Sequence, residues 1–116
     1  MEIKIIKNPI SKEELADIAR EQFGDFVKAA VDIEQKIMAV GGELHMDEAI
    51  LLIEQENSKH EQVWGINLYP DKTGDDFIEF DSMVNIKPAL RNRTRGVESV
   101  EIQNKIREIV EKLIVL

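Results

Sequence analysis

Apolar positions recur along this chain with two different periods, and the switches between them mark out its elements. From Ser11 the period is helical: Leu15, Ile18, Ala19, Gln22 and Phe23 share one face, and Gly24 follows as a stop signal. Ser11 and Glu14 have the spacing of a capping box, and Ile10 and Leu15 that of a hydrophobic staple. A second helical stripe, Ile102, Ile106, Ile109, Val110 and Leu113, places an amphipathic helix from Val100 to about Ile114. Ser99 is its cap candidate, and Glu101 to Lys105 and Glu108 to Lys112 are supporting i,i+4 pairs.

Outside these helices the period is mostly two. Ile3 and Ile5 oppose Lys4, which predicts a short strand near a sheet edge, ended by Asn8-Pro9. Val27, Ala29, Val31 and Ile33 alternate with Lys28, Ala30, Asp32 and Glu34, and predict a hairpin turning near Glu34-Gln35-Lys36. Phe26, Ala29, Ala30, Ile33, Ile37 and Val40 also fit a helix, so both readings stand. Ala49 to Ile53 has no alternation and reads as a strand buried on both faces. After the polar stretch Glu54 to Gln62, Val63 to Tyr69 resumes as a strand, so the two runs are expected to pair as an antiparallel hairpin with a long polar tip. Trp64, Ile66 and Leu68 share the buried face of the second. Phe77 to Lys87 sets Ile78, Phe80, Ser82, Val84 and Ile86 against Glu79, Asp81, Asn85 and Lys87, and Pro88 ends that strand.

This order of elements predicts one α+β domain over residues 1–116, a mostly antiparallel sheet of four to six strands packed with an N-terminal and a C-terminal amphipathic helix. A doubly buried strand needs cover on both faces. Either the two helices divide between the faces, or two chains pack sheet to sheet as a homodimer.

Composition bounds the function classes. With 43% hydrophobic and 33% charged residues the chain has the make-up of a soluble domain, and no apolar run reaches the length of a membrane span. The N-terminus MEIKIIKNP has no long apolar stretch or small-residue cleavage site, so no signal peptide is expected and a cytoplasmic location is. There are no cysteines. A net charge of -8 makes broad nucleic-acid or anionic-membrane binding unfavourable. The distribution is uneven: Lys87, Arg91, Arg93 and Arg95 put +4 into residues 87–96 without an acid, leaving -12 on the rest of the chain.

Two constellations could carry chemistry. Glu43, His45 and Asp47 at i, i+2 and i+4 would share one strand face, neighbours roughly 7 Å apart, and with Asp32 or Glu79 could ligate zinc, manganese or iron. Their ordinary reading is a solvated strand end with His45 held by a carboxylate. Arg91, Arg93, Arg95 and Lys87 could bind an anion, since guanidinium forks match phosphate and carboxylate; their ordinary reading is pairing with Glu79 or Asp81, or with a partner chain. Nucleophilic catalysis has little footing, because no G-x-S-x-G surrounds Ser82 and no phosphate-cradling glycine motif occurs.

The segments GGELH (41–45), WGINLYP (64–70), IEFDSMVNIKP (78–88) and NRTRGVE (92–98) together resemble a family of small uncharacterised prokaryotic proteins, over nearly the whole chain. The resemblance implies a bacterial or archaeal cytosolic protein and assigns no activity, cofactor or catalytic residue. The expectation is therefore a non-enzymatic binding or interaction module that pairs with itself or another protein. The alternative is a metal-dependent hydrolase-like enzyme acting on an anionic substrate through Glu43, His45 and Asp47, with a divalent cation as its only cofactor.

Overall fold

Alternation builds the centre of the fold. In the computed structural model, which describes residues 2–116, Val27–Asp32 (β3) and Ile37–Val40 (β4) form the predicted hairpin. Its turn is locked by Asp32, whose Oδ1 accepts the backbone N–H of Glu34 at 2.9 Å and of Gln35 at 3.0 Å, while Lys36 takes a left-handed φ of 60°. The helical alternative for this stretch falls to that regular β-branched pattern. Lys4–Ile6 (β1) pairs with β4, Val63–Leu68 (β5) pairs with β3, and Ile78–Glu79 (β6) pairs with the end of β5. All pairings in the resulting sheet, order β1-β4-β3-β5-β6, are antiparallel.

Lys12–Glu21 (α1) begins at Ser11, whose Oγ accepts the Glu14 N–H at 3.0 Å, and closes through Gly24 at φ 95°. Val100–Leu113 (α3) begins at Ser99, whose Oγ accepts the Ile102 N–H at 3.2 Å. Both helices lie on one sheet face, over Val27, Ala29, Val31, Met38, Val40, Trp64, Ile66 and Leu68. A two-residue parallel pairing of Ile10–Ser11 (β2) with Ile114–Val115 (β7) ties the start of α1 to the end of α3.

The other face corrects the sequence reading. Ala49 to Ile53 is not a strand but the middle of a helix, His45–Glu56 (α2), and no hairpin with a polar tip follows it. An apolar run of five fits a helix as well as a strand, and the neighbours decide it: Met, Leu, Glu and Gln favour helix, and Asn57 at φ 56° supplies a left-handed cap. The sheet is shaped to receive this helix, because Ala39, Ala30 and Gly65 stand side by side across three strands. That smooth stripe lets Ala49 and Leu52 seat against Ala30, Ile37, Ala39, Val63 and Val84. Helices therefore cover both faces of one chain, and the doubly covered strands are β3, β4 and β5. Neither alternative read for the second face describes this: α1 and α3 do not divide between the faces, and α2, rather than the sheet of a second chain, supplies the cover.

Phe77 to Lys87 is the second correction. Only Ile78–Glu79 pairs as a strand; the chain then turns over β5, with single helical turns at Met83–Asn85 and Pro88–Leu90. Burial does not follow the alternation read there: Asn85 and Lys87, on its polar side, are buried, and Ile86, on its apolar side, is exposed. Side chains make up for the missing strand: Asn85 Oδ1 accepts the Gly65 N–H at 2.7 Å and its Nδ2 donates to the Gly65 carbonyl at 2.9 Å. One amide thus satisfies both backbone groups that β5 turns outward there.

Candidate functional site

Where α2 meets the end of the sheet, polar side chains collect. Lys28, Asn67 and Glu79 are consecutive register partners across β3, β5 and β6, on the face that α2 covers. His45, in the first turn of α2, points down onto this row, its Nε2 2.9 Å from the Ile66 carbonyl. A carbonyl only accepts, so Nε2 carries the proton and Nδ1 keeps its lone pair. Burial pushes the imidazole pKa down, with the Lys28 charge acting in the same direction, so His45 is neutral at pH 7. Asn67 Nδ2 donates to Glu79 Oε1 at 2.8 Å, the Tyr69 hydroxyl donates to the same oxygen at 3.0 Å, and Arg95 Nε donates to Asp81 Oδ1 at 2.7 Å. His45, Asn67, Glu79, Asp81 and Arg95 thus form a chain of neighbours.

One turn further along α2, Glu48 is fully buried. Its Oε2 accepts the Gly42 N–H at 2.9 Å, and its other oxygen has no partner among the described residues. Burial raises its pKa well above the ordinary 4.5, which favours the neutral acid. Gly42 is required for that contact, since a Cβ there would lie 2.8 Å from Glu48 Cγ.

The other candidates do not converge. Glu43 and Asp47 are exposed, and neither lies on a strand with His45: Glu43 precedes α2, and the helix turns Asp47 away from His45. Glu43 engages Lys28 through its carbonyl, at 2.9 Å from Nζ. Asp32 lies at the far end of the sheet, filled by its own turn and by Ser58, whose hydroxyl donates to Oδ2 at 2.6 Å. Among the described residues no three His, Asp or Glu are grouped as a cation would need.

The basic loop also divides. Arg95 pairs with Asp81, an expected partner. Arg93 lies near Glu98, whose carboxylate accepts the backbone N–H of Arg93 at 2.6 Å and of Thr94 at 3.1 Å and is held below its ordinary pKa by those bonds. Arg91 is exposed at φ 62°, and Lys87 is buried with its amine on the His60 carbonyl at 2.8 Å. Four cations in ten residues therefore do not make one anion site. Sequence reasoning missed the asparagines that shape the loop. Asn92 Nδ2 donates to the carbonyls of Asn85 and Gly96 at 2.7 and 2.8 Å, and its Oδ1 accepts the Glu98 N–H at 2.8 Å. The repeated Asn between strand and helix was the available signal.

The fold and site define a small α+β domain with helices on both sheet faces and a half-buried polar cluster at one helix start. Residues 4–113 match the family described as "Protein of unknown function (DUF5674)", and the chain belongs to it. No curated protein and no solved structure matches the chain.

Proposed function

We propose that this domain is a non-enzymatic interaction module that pairs with a second copy through the outer flank of α2. The observation that carries this reading is where large apolar side chains remain exposed. Leu44, Met46, Ile50 and Met83 are 43% to 66% exposed. Met46, Ile50 and the half-buried Ile53 follow i, i+4, i+7 spacing on one flank of α2. Met83 adds to that flank, since the turn Met83–Asn85 packs beside α2 and Val84 enters the same cluster as Ala49 and Leu52. Methionines at a contact surface adapt to a partner's shape.

Charge supports a second copy as the occupant. The exposed acids Asp47 and Glu54 border the apolar strip on α2, while exposed Arg91 belongs to the same chain and makes no ion pair among the described residues. A pair of chains offers each acidic flank a basic loop, which favours this partner over an acidic one. The hydrolase reading has less support, because Asp32 and Glu79 are engaged by donors of their own fold. A chain without cysteine permits a direct test. Met46→Cys or Ile50→Cys should form an intermolecular disulfide under mild oxidation, and Asn104→Cys, exposed on α3 behind the opposite sheet face, should not. Equal cross-linking at all three positions would contradict the proposal. No helix among the described residues is long and apolar enough to cross a membrane.

A further inference from the structure

Lys87 is the one buried lysine among the described residues, 4% exposed, and it lies at the wall of a cleft of about 370 Å³ that also has His60, Glu61, Ile86, Pro88, Ala89 and Leu90 around it. Apart from Lys87, His60 and Glu61 the lining is apolar. The amine is positioned by structure on every side. Its backbone bridges to Asn92 in both directions, at 2.7 and 3.1 Å. Nζ donates to the His60 carbonyl at 2.8 Å and lies 5.2 Å from the centre of the Trp64 ring. One of its three donors is committed there, and no carboxylate is in ion-pair contact with it among the described residues. The charged form is thus held by one carbonyl and one ring face in a largely dry place. Burial brings the pKa down to about 8, against the opposing charge of Glu61. An amine of this kind is a nucleophile near neutral pH, whereas exposed lysines are almost wholly protonated.

We propose that Lys87 captures a small apolar aldehyde or ketone in this cleft as a reversible imine. The neutral Nζ attacks the carbonyl carbon, the C=O π pair moves to oxygen, and a proton passes from nitrogen to that oxygen to give a carbinolamine. The hydroxyl takes a proton from a general acid or solvent and leaves as water while the nitrogen lone pair closes the C=N bond, and the resulting protonated imine returns one proton to give the imine. One water is released and nothing is oxidised or reduced. Glu61 and His60 are the titratable residues that line the cleft with the amine, and in this proposal they or solvent exchange the protons. Ile86, Pro88, Ala89 and Leu90 select an apolar substituent and exclude a carboxylated one. This site rests on the loop and not on the α2 flank, so it stands or falls separately from self-association.

Butanal with cyanoborohydride is the probe, since the hydride fixes only imines. Peptide mapping of the folded wild-type chain at pH 8 should place the butyl group on Lys87 about tenfold faster than on exposed Lys36 or Lys112, saturating with butanal, with a rate midpoint near pH 8. Leu90→Trp, a change at an exposed position that fills the cleft, should lower Lys87 labelling several-fold and leave Lys36 and Lys112 unchanged. Denaturant should abolish the preference. Labelling spread evenly over the exposed lysines, or Lys87 protected in the folded chain, would overturn the proposal, as would equal labelling in Leu90→Trp.

Discussion

Two ionisable side chains one turn apart on α2, the buried Glu48 and the half-buried His45, set opposite pH dependences. Glu48 has a folded pKa raised above its value of 4.5 in the unfolded chain, so the unfolded state binds fewer protons between the two values. Its contribution is full below pH 4.5 and is lost as pH rises toward the folded pKa. His45 has a folded pKa below 6.5, so its contribution is full above pH 6.5 and is lost as pH falls toward the folded value. Glu48→Gln keeps the acceptor for the Gly42 N–H and removes the ionisation. It should raise Tm relative to wild type at pH 8 and flatten the decline of stability above pH 5; a lower Tm than wild type at pH 8 would contradict the neutral buried acid. Asn85→Ala leaves the Gly65 N–H and carbonyl unpaired inside the fold and should cost about 2 to 6 kcal/mol in urea denaturation, the sum for two stranded groups. Local roles were legible in the sequence at this scale: Ser11 and Ser99 cap their helices because a cap depends on three residues. Asn85 and Asn92 were not, since their partners are 20 residues away or lie in a loop whose path the pattern does not give.

At the scale of elements, α1, α3, the β3–β4 hairpin and β5 follow from periodicity, because each has one apolar and one different face over six or more residues, or a tight turn to fix it. α2 was misread because its apolar run is short and Ile50 breaks the amphipathic pattern by lying outward. That error moved Glu43, His45 and Asp47 onto a strand face that does not exist, and only His45 joins the polar cluster. It joins Glu79 through Asn67, a link carried by strand register and invisible to spacing. The contact between β5 and the crossing segment is close, since a Cβ at Gly65 would come within 2.5 Å of both Ser82 Cβ and Oγ. Gly65→Ala should therefore destabilise by about 1 to 3 kcal/mol, the range for overpacking, and adding Ser82→Gly should recover part of the loss. Additive losses in the double variant would place the strain elsewhere.

For the whole molecule, the order of elements predicts one α+β domain and leaves open what covers the second sheet face. α2 covers it, which removes a bare sheet as the reason to pair and puts the case for pairing on the outer flank of α2. The uneven charge of the chain, -12 around a +4 loop, fits copies that meet acid to base. Ile50→Glu adds charge at an exposed position of that strip, so it should leave the thermal midpoint within a few degrees of wild type while abolishing pairing. The most direct measurement is sedimentation equilibrium of the wild-type chain from about 5 to about 500 µM, which spans micromolar to weaker dissociation constants. The account predicts a weight-average mass that climbs from 13.3 kDa toward twice that value, with Ile50→Glu remaining at the monomer mass throughout. A wild-type chain that stays at 13.3 kDa across the whole range would contradict self-association through α2.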